Sequence, residues 1–81
     1  MSVVRKRSLS IRGHRTSVSL EDAFFVELET AAARRGMALA ALVAEIDAKR
    51  PPGANLSSAL RLFVLDEVKT RAGGRDPTIS A

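Results

Sequence analysis

Cysteine is absent from this chain of 81 residues, and histidine occurs once. No disulfide or thiolate metal site can brace such a chain, and one imidazole is too little for a zinc centre. With no clustered carboxylates either, nothing offers a nucleophile–base or acid–base pair. An enzyme is the least expected class, and no cofactor or metal is expected. No apolar run approaches the roughly 18 residues that a membrane span needs. The charged N-terminus is not followed by the apolar segment of a secretory signal. These shortages suggest a cytoplasmic protein without membrane contact, and the lack of cysteine suits a reducing compartment. Neither an internal repeat nor a low-complexity block is present.

Acid is missing as well from one end. Residues 1–20 contain Arg5, Lys6, Arg7, Arg12 and Arg15 and no carboxylate, whereas residues 21–81 are nearly balanced within a net charge of +4. The excess positive charge is therefore local. A basic segment of this kind suits a polyanionic partner. The length allows one small domain, close to the limit at which a single core suffices. An apolar share of 46% is generous for that length and favours stabilisation by oligomerisation.

Between His14 and Leu20 the residues alternate. Thr16, Val18 and Leu20 fall on one face of an extended strand, and Arg15, Ser17 and Ser19 on the other. A lone strand needs a ladder partner from elsewhere. Ser8–Arg12 alternates too, with Leu9 and Ile11 as its apolar members. Gly13-His14 suits a two-residue turn, which would set Ile11 against Thr16 and Leu9 against Val18. Residues 8–20 equally suit one long arm pairing with another molecule, bent at Gly13. Residues 1–7 read as a flexible basic arm, 8–72 as the folded domain and 73–81 as a disordered tail.

From Ser19 the pattern is helical, with Ser19 as cap and Asp22 completing a capping box. Phe24, Leu28, Ala31 and Ala32 form the apolar stripe, widened by Phe25, and Gly36 ends the helix. Leu39, Leu42, Val43 and Ile46 line a second helix, stopped by Pro51-Pro52-Gly53. Asn55 or Ser57 caps a third, in which Leu56, Leu60, Phe63, Val64 and Val68 repeat. Leu62 and Leu65 extend its apolar surface beyond what one monomer can cover.

Arg15-Thr16-Ser17-Val18-Ser19-Leu20 with Glu21-Asp22, then Leu28, Ala32, Gly36, Leu42-Val43 and Ile46, resembles the ribbon-helix-helix family of DNA-binding proteins. The longer run His14–Phe24, Ala41–Asp47 and Asn55–Arg61 is similar to a short bacterial branch of it, and the likeness covers roughly residues 5–70. The resemblance implies a mostly α fold with one N-terminal β-strand, an intertwined homodimer, and an extra C-terminal helix. It implies a transcriptional regulator, a repressor, whose strands pair between two chains and enter the major groove of double-stranded DNA.

On that plan Arg15, Ser17 and Ser19 contact bases, while Arg5, Lys6, Arg7, Arg12 and His14 contact phosphates. Val18, Leu20, Phe24, Leu28, Leu42, Val43, Ile46, Leu60, Phe63 and Val64 form the dimer core. Two features depart from the family pattern. Met37-Ala38-Leu39 offers no hydroxyl where the family often grips a phosphate at the second helix. The third helix is an addition to the minimal plan. The rival reading is an antitoxin-like or adaptor module that holds another protein through the third helix and tail.

Overall fold

A computed structural model describes residues 3–73, with β1 (Val4–Ile11), β2 (His14–Glu21), α1 (Asp22–Arg34), α2 (Leu39–Lys49) and α3 (Leu56–Gly73) in chain order. The strands form an antiparallel hairpin, so β2 finds its ladder partner in its own chain. Of the two readings of residues 8–20 the hairpin is the one observed, and the chain has two N-terminal strands where the fold class expected one. The ladder begins at Val4, so residues 4–7 are strand where a flexible arm was expected. Residues 1 and 2 of that arm, and the tail from residue 74, lie outside the described residues, while Gly73, expected in the tail, is the last residue of α3.

The turn is Arg12-Gly13, one residue earlier than the sequence suggests. Both residues have positive φ, 51° and 80°. That pair matches a type I′ turn, whose twist agrees with the strands it joins. Ile11 therefore opposes His14, Leu9 opposes Thr16 and Arg7 opposes Val18. The register differs from expectation by two residues, which preserves the faces because side chains alternate with period two. Val18, Leu20 and Ile11 point inward and are buried.

The helix expected from Ser19 starts later, at Asp22, with Glu21 in the cap position and no side-chain cap bond. Ser19 is strand. The Asp22 carboxylate is not closing a capping box, because Arg5 and Arg7 reach it at 3.2 and 2.8 Å. At the other end of α1 the glycine signal holds. Gly36 has φ 66°, its N–H donates to Ala33, and the Met37 N–H donates to Ala32, which is a Schellman closure. Arg50, Pro51 and Pro52 leave α2, and the Asn55 carboxamide oxygen accepts from the Ser58 N–H at the start of α3.

The three helices cover the inward face of the hairpin, α2 against β1 and α3 against β2. Leu20, Leu28, Leu42, Val43 and Leu60 are fully buried at the centre, with Val18, Phe25, Ala31, Ala32 and Val64 around them. Phe25 is more buried than Phe24, which with Ile46 and Phe63 packs at the margin. The stripe on α1 is thus rotated towards the residue that had seemed only to widen it.

Besides the pair of Arg71 with Glu27 of α1, two more ion pairs tie α3 to the rest. Arg35 holds Glu67 through two bonds of 3.0 Å, and Arg61 holds Glu21 at 2.9 Å. Each guanidinium, by its hydrogen bonds first, keeps its carboxyl below the usual carboxylate range. A carboxyl whose pKa is lowered on folding stabilises the fold fully above its unfolded value, near 4.3, and loses that contribution as pH falls through the lowered value. The melting temperature is therefore expected to decline below about pH 4.3. A Glu67→Gln chain should melt lower at neutral pH and show a shallower decline in acid; parallel pH profiles for the two chains would contradict this.

Candidate nucleic-acid interface

Alternation along two paired strands sorts the hairpin side chains into two sets. One set faces the helices: Arg5, Arg7, Leu9, Ile11, His14, Thr16, Val18 and Leu20. The other faces away from them: Lys6 opposite Ser19, Ser8 opposite Ser17, and Ser10 opposite Arg15, with Val4 and Glu21 at the open end. This outward surface is a strip of four hydroxyls with one cation near each end. Ser8, Ser10, Arg15, Ser17 and Lys6 are exposed, and Ser19 is half-buried.

The five N-terminal cations divide along the same line. Arg5 and Arg7 close on Asp22, and Arg7 also lies 4.0 Å over the Phe25 ring. Arg12, at the hairpin tip, donates to the Ala44 carbonyl at 3.1 Å and pairs with Asp47 at 3.4 Å. Lys6 and Arg15 make no ion pair among the described residues, and both stand on the outward strip. A cation already bonded to carboxylate must give up that bond to engage a phosphate, whereas an unpaired one gives up only water. Three of the five expected phosphate contacts, Arg5, Arg7 and Arg12, are therefore engaged inside the protein. His14 is exposed beside the turn but belongs to the inward set.

The base-facing candidates Arg15, Ser17 and Ser19 share one surface, and the Ser19 hydroxyl is free of the capping duty that sequence assigned to it. Its backbone N–H donates to Ser57 Oγ at 3.2 Å, so the first turn of α3 meets the far edge of β2. Lys6, Ser8 and Ser10 were not expected as neighbours of Arg15. The alternation of residues 8–12 signalled their face, but only the register shows whom they oppose.

The start of α2 has Ala38 in the cap position and no side-chain cap bond, as the missing hydroxyl implied. Among the described residues no three His, Asp or Glu side chains converge to hold a metal ion, and no helix is long and apolar enough to cross a membrane.

Comparison with known proteins fits this geometry. The chain matches the family model described as the ribbon-helix-helix domain over residues 4–68, from the first residue of β1 to Val68 in α3. The match thus includes both strands and most of the third helix. No curated protein matches the chain significantly. Among solved structures it is similar to an uncharacterized protein from Bordetella pertussis Tohama I, with 37% sequence identity and a TM-score of 0.77. The alignment covers 95% of this chain and 65% of that one, so the chain spans about two thirds of that protein's length.

Proposed function

Because the chain belongs to the ribbon-helix-helix family, a non-enzymatic DNA-binding fold whose members typically act as dimers, we propose that it is a sequence-specific transcriptional regulator, a repressor, working as a homodimer and reading the major groove with its β-ribbon. The observation that carries this reading is the sorting of charge on the hairpin. Carboxylates hold Arg5, Arg7 and Arg12, while Lys6 and Arg15 stand among serines on the outward strip with no ion pair among the described residues. A two-stranded ribbon fits a groove about 12 Å wide, and its side chains meet base edges that distinguish all four base pairs. Arg15 is suited to hold guanine O6 and N7 together. Ser17 and Ser19 donate to or accept from either base type. Lys6 and His14 suit the flanking phosphates, and Arg5, Arg7 and Arg12 add less because Asp22 and Asp47 compete for them. Occupancy of a promoter is all that repression requires of such a protein.

The homodimer rests on α3. Leu62 and Leu65 are 65% and 52% exposed, and Val68 continues their spacing of three along α3. Such a ridge is expected to be covered in the working assembly. One specific observation favours the rival reading. Open apolar hollows flank the ridge, one of about 270 Å³ lined by Phe24, Val64, Leu65 and Val68, the other of about 320 Å³ lined by Ile46, Pro51, Leu62 and Phe63. These suit another protein held by α3 in an antitoxin-like or adaptor role.

Binding to genomic fragments over a salt series tests the proposal. Selective binding is expected, with log K falling against log salt by about 2 per chain if two unpaired cations displace counterions. A slope of about 4.5 would mean that all five N-terminal cations are recruited. Equal weak affinity for every fragment would reduce the protein to a non-specific polycation.

A further inference from the structure

One face of α3 is fixed to the body of the chain and the other is bare. Leu60 and Val64 are buried, while Glu67 and Arg71 bond Arg35 and Glu27. On the opposite face Ser58, Leu62, Leu65, Lys69 and Ala72 are exposed. We propose that this face is a coiled-coil seam, by which α3 lies parallel and in register against α3 of a second copy of the chain. The inference rests on the homodimer proposed above and gives one of its contacts a face, an orientation and a register.

Spacing is the first argument. Ser58, Leu62, Leu65, Lys69 and Ala72 follow one another at intervals of four, three, four and three, the rhythm of the a and d positions of a heptad repeat. Leu62 and Lys69 take a positions, and Ser58, Leu65 and Ala72 take d positions. A seam of this kind is covered by a helix with the same repeat, and a second copy supplies one by twofold symmetry. Leu62 and Leu65 then form two apolar layers in the middle of the helix.

Charge sets the direction. Arg61 and Asp66 flank the seam at g and e, five residues apart, so in a parallel pair each Arg61 meets Asp66 of the other copy. Asp66 makes no ion pair among the described residues, and Glu21 takes only Nε of Arg61, which leaves a terminal guanidinium nitrogen for the contact. Reversed, the seam would set Arg61 beside Val68 and Asp66 beside Ala59. It would also bring Lys69 to the positive N-terminal end of the other α3. In the parallel pair both Lys69 side chains lie towards the helix C-termini, where the dipole favours cations, and their ammonium groups reach past the seam to water. A single lysine at an a position fixes register at some cost in stability.

Size limits what the seam does alone. α3 has 18 residues and offers a strip about 27 Å long and about 10 Å wide. That falls well short of the roughly 800 Å² per partner of a standard interface. Two leucine layers and a polar one therefore make a weak contact, which adds to any pairing of strands between the copies and does not replace it.

A chain without cysteine permits a direct test. Lys69→Cys places one thiol on the seam, and Thr70→Cys places one at the next exposed position, off the seam. Each full chain is incubated with glutathione disulfide, linked pairs are followed on a non-reducing gel, and circular dichroism confirms that each variant folds. At about 10 µM protein, alignment raises the local thiol concentration to the millimolar range, so Lys69→Cys should link about 100-fold faster than Thr70→Cys. Adding Leu65→Asp to Lys69→Cys should remove most of that advantage. A mixture of Ser58→Cys and Lys69→Cys chains reports the reversed orientation, and faster linking there than in Lys69→Cys alone would overturn the parallel register. If Lys69→Cys links no faster than Thr70→Cys while the parent sediments as a dimer or larger, the inference fails and the homodimer stands. If the parent sediments as a monomer at that concentration, the homodimer fails and the inference with it.

Discussion

An Arg15→Glu chain is expected to keep its fold and lose selective DNA binding. Arg15 is exposed, stands on the outward strip and makes no ion pair among the described residues, so its removal takes nothing from the core. Surface changes of this kind usually move stability by about 0.5 kcal/mol or less. On the proposed reading the same change removes a bidentate guanine contact, about 1–3 kcal/mol, and puts a carboxylate where phosphates repel it. Affinity for the selected duplex should fall well beyond ten-fold, while the melting temperature stays within a few degrees. Fluorescence anisotropy and thermal denaturation on one preparation read both quantities. The substitution also separates the two readings of the protein, since an adaptor that works through α3 would hold its partner unchanged. Undiminished, selective DNA binding by the Arg15→Glu chain would remove the ribbon from the interface.

Leu28→Ala should do the reverse and endanger the fold itself. Leu28 is fully buried on α1, in the cluster where strand and helices meet. Truncating a buried leucine costs about 2–5 kcal/mol, because the cavity left behind adds to the lost burial. At about 0.05–0.15 kcal/mol per residue, a chain this short has only about 4–12 kcal/mol in total. The variant is expected to lose a large part of its resistance to urea, with a lower midpoint and little change in slope. If its midpoint matched the parent's, the core assigned to a single chain would be wrong, and Leu28 would be buried somewhere else.

Signals that are local in sequence were legible. Gly36 and the Pro51-Pro52-Gly53 run end helices because backbone conformation at those points depends on the residue itself. The three apolar stripes followed from spacing, and the division of β2 into Thr16, Val18, Leu20 against Arg15, Ser17, Ser19 followed from a period of two. What was not legible depends on partners far along the chain. Ser19 and Asp22 have a spacing that suits a capping box, but the strand runs on to Glu21 and Asp22 is taken by Arg5 and Arg7. Likewise the tie between Arg12 and Asp47, 35 residues apart, has no local trace. The turn was misplaced by one residue because a positive φ at Arg12 has no strong residue signature, whereas glycine advertises its own. The core residues of α1 and α3 were recognised as apolar, yet spacing alone could not say whether one chain or two would bury them.

Asp22 and Asp47 have a kinetic consequence. By silencing Arg5, Arg7 and Arg12 they leave the ribbon a weak field for its formal charge, and most of what holds a regulator to random sequence is that field. Such a protein would dwell briefly at each wrong address and sample many in a given time. Reading DNA as proposed, it would depend on hydrogen bonds to bases for long residence at its own site.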